Sequence, residues 1–278
     1  MKRPIVFLIL MCSIIFSNSS IAFGSGNDKI PILMYHHLKK SLNNNVVISP
    51  DNFENQIKTL KEAGYNSISI QQLFDYLNEN KLLPQNPVLI TFDDGYLSNY
   101  ELAYPILKKY NMHAEIFVIV SQILENNEIK SNTNEIPKMT WEQLREMRDT
   151  FTIQSHTWNS HNKLVLGNGK LSGAVYGPSY IKGTLETKKM YEERVISDFI
   201  RSKEVIKAKL GYEPIAISYP FGIVSNEAIK LAEAAGFKLG FVINNKSIVK
   251  DDNPFTLSRI TVNGNDTGIE LLEKIKNS

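Results

Sequence analysis

Thr91-Phe92-Asp93-Asp94-Gly95-Tyr96 follows the apolar run Val88-Leu89-Ile90, so a buried-looking strand ends in two adjacent carboxylates and a glycine. The run predicts a strand over 88–92, and the glycine turns the backbone away from the strand end. Neighbouring like charges at the mouth of a hydrophobic strand are costly unless a cation or another titrating group balances them. The pair therefore suggests a metal site in which one carboxylate binds the ion and the other handles protons.

Outward from this stretch the chain alternates. Short apolar runs predict strands at 32–35, 67–70, 115–120, 151–154, 215–219, 239–243 and 257–262, with helical spacing between most of them. Phe53, Ile57 and Leu60 share one helix face, with Ser49 as cap, Pro50 in the first turn and Gly64 as the stop. Thr140-Trp141-Glu142-Gln143 reads as a capping box, and a long charged helix, or two, runs from Glu186 to Leu210 and ends at Gly211. A small-residue helix carries Ala228, Leu231, Ala232 and Ala235, and a last helix spans about 267–275. Strand–helix alternation favours a mostly parallel sheet, and about eight strands suggest an α/β barrel in a single domain. An open doubly wound sheet competes, but no glycine-rich phosphate loop follows an early strand. Residues 162–183 carry glycines and Pro178 without clear periodicity and are expected to form a long loop near the active face.

The 278 residues are 42% hydrophobic, enough for a substantial core, and the formal net charge of +2 without a basic block argues against nucleic acid as partner. Lys2 and Arg3, an apolar run over 5–16 and the small residues Ser20 and Ala22 predict a signal peptide over 1–22, cut near Ala22. The run is short for a membrane span, which needs roughly 20 residues. An uncleaved anchor is the lesser reading. Cys12 is the only cysteine, so the cleaved chain has neither a disulfide nor a thiolate metal site. A secreted or cell-envelope monomer, with no stable membrane span after cleavage, is expected.

Polar residues cluster at the strand ends. His36 ends the first strand, Asp93 and Asp94 the third, His156 the fifth, and Pro220-Phe221-Gly222 follow the sixth. In a parallel barrel these ends open on one face, where such enzymes keep their sites. His156 and His161 share one short loop and, with a carboxylate, make a His₂Asp set that leaves positions open for water and substrate. Strand alternation lets only one of His36 and His37 face the mouth. His113 begins a strand without a partner signature and reads as structural. Tyr96 and Trp158 read as packing residues near the rim.

Together these motifs resemble the polysaccharide deacetylases of carbohydrate esterase family 4, the NodB-homology domain, over residues 30–262. Thr91–Gly95 is similar to the family's first motif, which implies Asp93 as general base and Asp94 as metal ligand. His156 and His161 resemble the second motif and would complete the metal triad. Ser218-Tyr219-Pro220-Phe221-Gly222 resembles the third, which lines the acetyl pocket and gives an oxyanion donor at the Phe221 N–H. Three departures stand out. The histidines are five apart instead of four, Ser218 stands where an arginine usually orients the base, and no histidine follows His161 to supply the late general acid. These departures recur in the poly-N-acetylglucosamine deacetylases, in which the last strand is effectively moved to the N-terminus. That resemblance makes His36 the general acid and His37 a bystander, with Arg259 taking the orienting role.

The resemblance implies a distorted (β/α) barrel of about seven to eight strands over 30–278. It also implies a secreted hydrolase that removes N-acetyl groups from an N-acetylglucosamine polysaccharide and releases acetate. Tyr96, Pro220 and Phe221 would face the substrate. Zinc suits the Asp94–His156–His161 set, with cobalt or nickel as alternatives. An O-acetyl esterase on another polysaccharide and a catalytically silent glycan-binding protein are the other readings.

Overall fold

A computed structural model describes residues 29–40, 44, 46–125 and 136–278. The expected signal peptide, with Cys12 and the cut near Ala22, lies outside the described residues.

Seven strands form the barrel: β1 (Ile32–Tyr35), β2 (Pro87–Asp94), β3 (Ala114–Val118), β4 (Phe151–Ser155), β5 (Ala216–Ser218), β6 (Leu239–Ile243) and β7 (Leu257–Thr261). Each pairs in parallel with its neighbour in the chain, and β1 closes the ring by pairing with both β2 and β7. The barrel is distorted at the β4–β5 seam, where Ile217 and Ser155 are the one registered pair. There the Gln154 side chain substitutes for a ladder, its oxygen accepting the Ile215 and Ala216 N–H groups at 3.2 and 3.1 Å.

Alternation along β2 sorts two layers of core. Leu89 packs inside with Ile32, Phe117, Leu239, Phe241 and Leu257. Val88, Ile90 and Phe92 pack outward against the helical layer. That layer includes α1 (Pro50–Glu62), capped by Ser49, and α4 (Trp141–Glu146), opened by the Thr140 capping box. Between them in the chain lie α2 (Ile70–Glu79) and α3 (Tyr104–Lys109), which follows a π-helical turn at Asn99–Ala103. One continuous α5 (Lys188–Leu210) ends at Gly211 with φ 81°, and α6 (Asn226–Ala234) and α7 (Gly268–Lys276) complete the set. Among the described residues, no helix is long and apolar enough to cross a membrane.

Two expectations change. The strand expected at 67–70 shrinks to Asn66–Ser67, paired with Pro87 and Val88. Ser69 instead caps α2 in a box with Gln72, so the backbone turns helical at Ile70. The loop expected over 162–183 holds two antiparallel ribbons, Lys163–Val165 with Leu171–Gly173 and Tyr180–Ile181 with Thr184–Leu185. Arg194 ties this insertion to α5 by pairing with Glu186 at 2.6 Å and donating to the Ala174 carbonyl at 2.9 Å. The insertion does border the active face, since Lys163 Nζ lies 5.0 Å from the centre of the Phe221 ring.

Candidate active site

Regular alternation would send Asp93 and Asp94 to opposite faces of β2. It fails at the strand end because Asp94 itself adopts φ 75°, followed by Gly95 at the same φ. Gly95 suits this turn because its φ of 75° strains any L side chain, and a Cβ there would also sit 2.9 Å from Ile123 Cδ1 and 3.2 Å from Val118 Cγ1. Both carboxylates therefore reach a cavity of about 260 Å³ at the C-terminal ends of the strands, which His36, His156, His161 and Phe221 also line.

Asp93 is held from inside the barrel. Arg259, on β7 and fully buried, sets its two terminal nitrogens 2.7 Å from Oδ1 and 2.7 Å from Oδ2 of Asp93. Its Nη2 also donates to Ser218 Oγ at 2.8 Å. The guanidinium thus reaches Asp93 from β7, and Ser218, at the end of β5, is a second acceptor for it. Burial pushes the Asp93 carboxyl up, but the Arg259 charge, followed by His156, outweighs it and holds the group well below the usual carboxylate range.

Asp94 faces the histidines. Its Oδ1 lies 3.6 Å from His156 Nε2 and 3.5 Å from His161 Nε2. His156 Nδ1 sits 2.7 Å from the Ser218 carbonyl, which can only accept, so Nδ1 carries the proton and Nε2 presents its lone pair. Burial, with the charge of His161, pushes the His156 imidazole down to about 4 against the pull of Asp93 and Asp94. It is neutral at neutral pH, as a ligand must be. Burial also pushes Asp94 up, but His156, His36, Lys138 and His161 hold its carboxyl below the usual value.

Asp94, His156 and His161 are a group that can hold a metal ion, their donor atoms all within 4.8 Å of one another. Asp94 Oδ1 is buried with no hydrogen-bond partner, an orphan that a cation would satisfy. The two separations from Asp94 Oδ1, 3.6 and 3.5 Å, are close to the roughly 3.4 Å between donors around a tetrahedral ion with bonds of about 2.1 Å, so this donor set suits such an ion.

The remaining residues fall as follows. Tyr96 lines the cavity, its phenol pushed up by burial and by the nearby Asp94 carboxylate, with Lys138 Nζ 3.8 Å from its ring centre. Lys138 also donates to the Asp94 carbonyl at 3.0 Å. Nothing in the sequence marked this lysine. Phe221, at φ 62°, lays its ring 4.7 Å from His161, whereas Pro220 is buried and not part of the cavity lining. The role of Pro220 is to open the turn that presents Phe221. His36 lines the cavity with its buried Nδ1 unpartnered, its carbonyl fixed by Asn99 Nδ2 at 2.7 Å. His37, expected to point away, lines it too. The chain leaves β1 at Tyr35, and His37–Leu38 pairs instead with Val47–Ile48, so alternation no longer applies. Trp158 packs under Arg201 at 4.0 Å, and His113 lies far from the cavity beside Glu115.

A parallel barrel with an arginine-clamped carboxylate beside an Asp–His–His group at its C-terminal face defines a class of barrel hydrolase. The family model for polysaccharide deacetylase matches residues 80–240, and the chain belongs to that family of hydrolases. The YxkH protein of Bacillus subtilis (strain 168) is 30% identical over 235 residues, 84% of this chain and 71% of its own. The poly-beta-1,6-N-acetyl-D-glucosamine N-deacetylase of Staphylococcus aureus (strain MRSA252) is 27% identical over 246 residues, 83% of this chain and 77% of its own. Among solved structures, the de-N-acetylase of Aggregatibacter actinomycetemcomitans superposes with a TM-score of 0.77 at 27% identity, covering 89% of this chain and all of that one.

Proposed function

We propose that this chain is a secreted, metal-dependent deacetylase that removes N-acetyl groups from an N-acetylglucosamine polymer. Poly-β-1,6-N-acetylglucosamine is the favoured substrate because the Staphylococcus aureus relative is named for it. The observation that carries the reading is the division of labour between two adjacent carboxylates: Arg259 grips Asp93 with one contact to each oxygen, while Asp94 keeps an unpartnered oxygen toward two histidines.

Asp93 is the general base, kept ionised and aimed by Arg259. A carboxylate held this low in pKa is a weak base and takes a proton only from water that has itself been made acidic. Asp94, His156 and His161 would hold a divalent ion, with zinc favoured, and that ion would lower the pKa of water and polarise the acetyl carbonyl. The Phe221 N–H binds the oxyanion that develops as water attacks. His36 donates its proton to the departing nitrogen, a poor leaving group otherwise. Acetate and a free glucosamine unit result. Secretion follows from the leader expected at 1–22.

The test measures acetate release from poly-β-1,6-N-acetylglucosamine, peptidoglycan and chitin oligomers, with and without chelator. Chelator-sensitive release is expected, and its absence on all three sinks the reading. His36→Ala should lower turnover of amides far more than of acetate esters, because an alcohol leaves with less help. Equal losses on both remove His36 from the acid role.

A further inference from the structure

Metal-bound histidines are normally oriented by a hydrogen bond to the ring nitrogen that does not bind the ion. His156 has one, to the Ser218 carbonyl at 2.7 Å. His161 has none among the described residues. Its ring touches those of His156 and Phe221, with centres 4.8 and 4.7 Å away, and these contacts do not set its rotation. Its position must come from the loop that carries it.

That loop is gripped by one carboxylate. Asp198, in the middle of α5, accepts the Trp158 N–H on Oδ1 at 2.8 Å and the Asn159 N–H on Oδ2 at 2.8 Å. Oδ2 also accepts from Ser160 Oγ at 2.9 Å. No ion pair to Asp198 is present among the described residues, so its acceptor capacity is directed to the segment between the two histidines. The other side of the loop is pinned by main chain, with Val120 N–H donating to the Thr157 carbonyl at 3.1 Å and Ser121 N–H to the Trp158 carbonyl at 2.9 Å. Thr157, at φ 72°, turns the chain out of β4 so that Asp198 meets consecutive N–H groups. Burial pushes the Asp198 carboxyl up against these hydrogen bonds, so its ionised form is held at a cost that needs a return elsewhere.

We propose that Asp198 is a positioning residue for the metal site, fixing His161 through the Trp158–Asn159–Ser160 segment as the Ser218 carbonyl fixes His156. The proposal rests on the assignment of Asp94, His156 and His161 as metal ligands. Asn at this position keeps the volume but turns one acceptor into a donor that faces an N–H or hydroxyl donor of the loop. Loss of a group hydrogen-bonded directly to a metal ligand typically weakens binding by about 10–100-fold, and Asp198, acting through the loop, is expected at the lower end of that range.

Zn²⁺ affinity is measured by chelator competition, and the absorption spectrum of the Co²⁺-loaded protein is recorded, for the full chain and for Asp198→Asn and His161→Ala. Support consists of Zn²⁺ binding by about 10-fold or more weaker in Asp198→Asn, with an altered Co²⁺ spectrum. A lower melting temperature of the metal-free protein with unchanged affinity and spectrum overturns the proposal, since a purely structural residue would behave that way. If Asp198→Asn does not fold, Ser160→Ala decides: a several-fold weaker affinity supports the role and an unchanged one overturns it. Failure of the unaltered chain to bind either ion defeats the ligand assignment and this role with it. Loss of binding in His161→Ala with none in Asp198→Asn defeats only the role of Asp198.

Discussion

Both ends of the barrel bury a carboxylate, and the two are satisfied in opposite ways. Near the N-terminal end Glu115 is fully buried, its Oε1 accepting the Ile70 N–H at 2.8 Å and its Oε2 accepting from Gln154 Nε2 at 3.1 Å. His113 Nε2 stands 3.3 Å from Oε1 and 3.2 Å from Thr152 Oγ1. The Ile70 N–H is one of the orphan donors at the start of α2, so Glu115 closes a helix end against the barrel floor. At the C-terminal end Asp93 is clamped by a guanidinium, while Asp94 Oδ1 and His36 Nδ1 are buried without partners. Glu115, with both oxygens engaged, has the mark of structure. The orphaned atoms at the mouth leave polar work for a ligand.

The largest effects should therefore fall at the mouth. Asp93→Asn is expected to keep metal, measured by atomic emission after gel filtration, and to lose turnover by about 10²–10⁴-fold. Asp94→Asn should lose the metal as well. Retained turnover in Asp93→Asn would erase the distinction between the two carboxylates.

Arg259→Met comes next. Removing one partner of a buried ion pair typically costs about 3–5 kcal/mol, because the other charge is stranded. Asp93 would rise in pKa without the guanidinium, and turnover needs it ionised, so the acid limb of the kcat/KM profile should move to higher pH. A profile that does not move, in a variant that still folds, would break the link between Arg259 and the base.

Much of this was legible in the sequence, for physical reasons that can be named. The barrel strands are continuous apolar runs because parallel strands are covered on both faces, and such runs survive any error of boundary. The Asp93-Asp94-Gly95 end was legible because the like-charge pair needs a partner and the glycine permits the turn. By contrast Ser67-Ile68-Ser69-Ile70 alternates like a strand while Ser69 and Gln72 form a capping box, and in the structure the box prevails. The ribbons over 163–185 gave no signal, since their strands are two or three residues long and mostly exposed. Lys138 and Asp198 look like ordinary surface charges until the fold brings them to Asp94 and to the histidine loop.

Acid should expose the same contrast in the metal-free protein. An unfolded histidine titrates near 6.5, and folded His156 is pushed down to about 4, so between these values the unfolded chain binds the extra proton. Stability contributed by neutral His156 is then complete above about 6.5 and lost as the pH falls toward 4, by on the order of 3 kcal/mol. His37, lowered by burial and by Lys39 and Lys138, acts in the same sense. Asp198, raised by burial, acts in the opposite sense and offsets part of the loss. Urea unfolding at intervals from pH 7 to 4 measures the slope. A flat profile would mean that burial of His156 is not what keeps it neutral.

The smallest effect is expected at the floor, and there stability and chemistry should separate. Glu115→Gln preserves shape but leaves one amide oxygen where two carboxylate oxygens had accepted, and its NH₂ must face either the Ile70 N–H or the Gln154 amide. One mismatched buried contact costs about 1–3 kcal/mol. At about 2–4 °C per kcal/mol for a domain of this size, the melting temperature should drop by several degrees. Turnover at a temperature well below melting should not change, because Glu115 does not line the cavity and, among the described residues, its side-chain partners Ile70, His113 and Gln154 do not line it either. The opposite pattern, an intact melting temperature with reduced kcat, would show that the floor communicates with the mouth. Gln154 would be the route: its amide joins Glu115 to the start of β5, and that strand ends at Ser218, which contacts both Arg259 and His156.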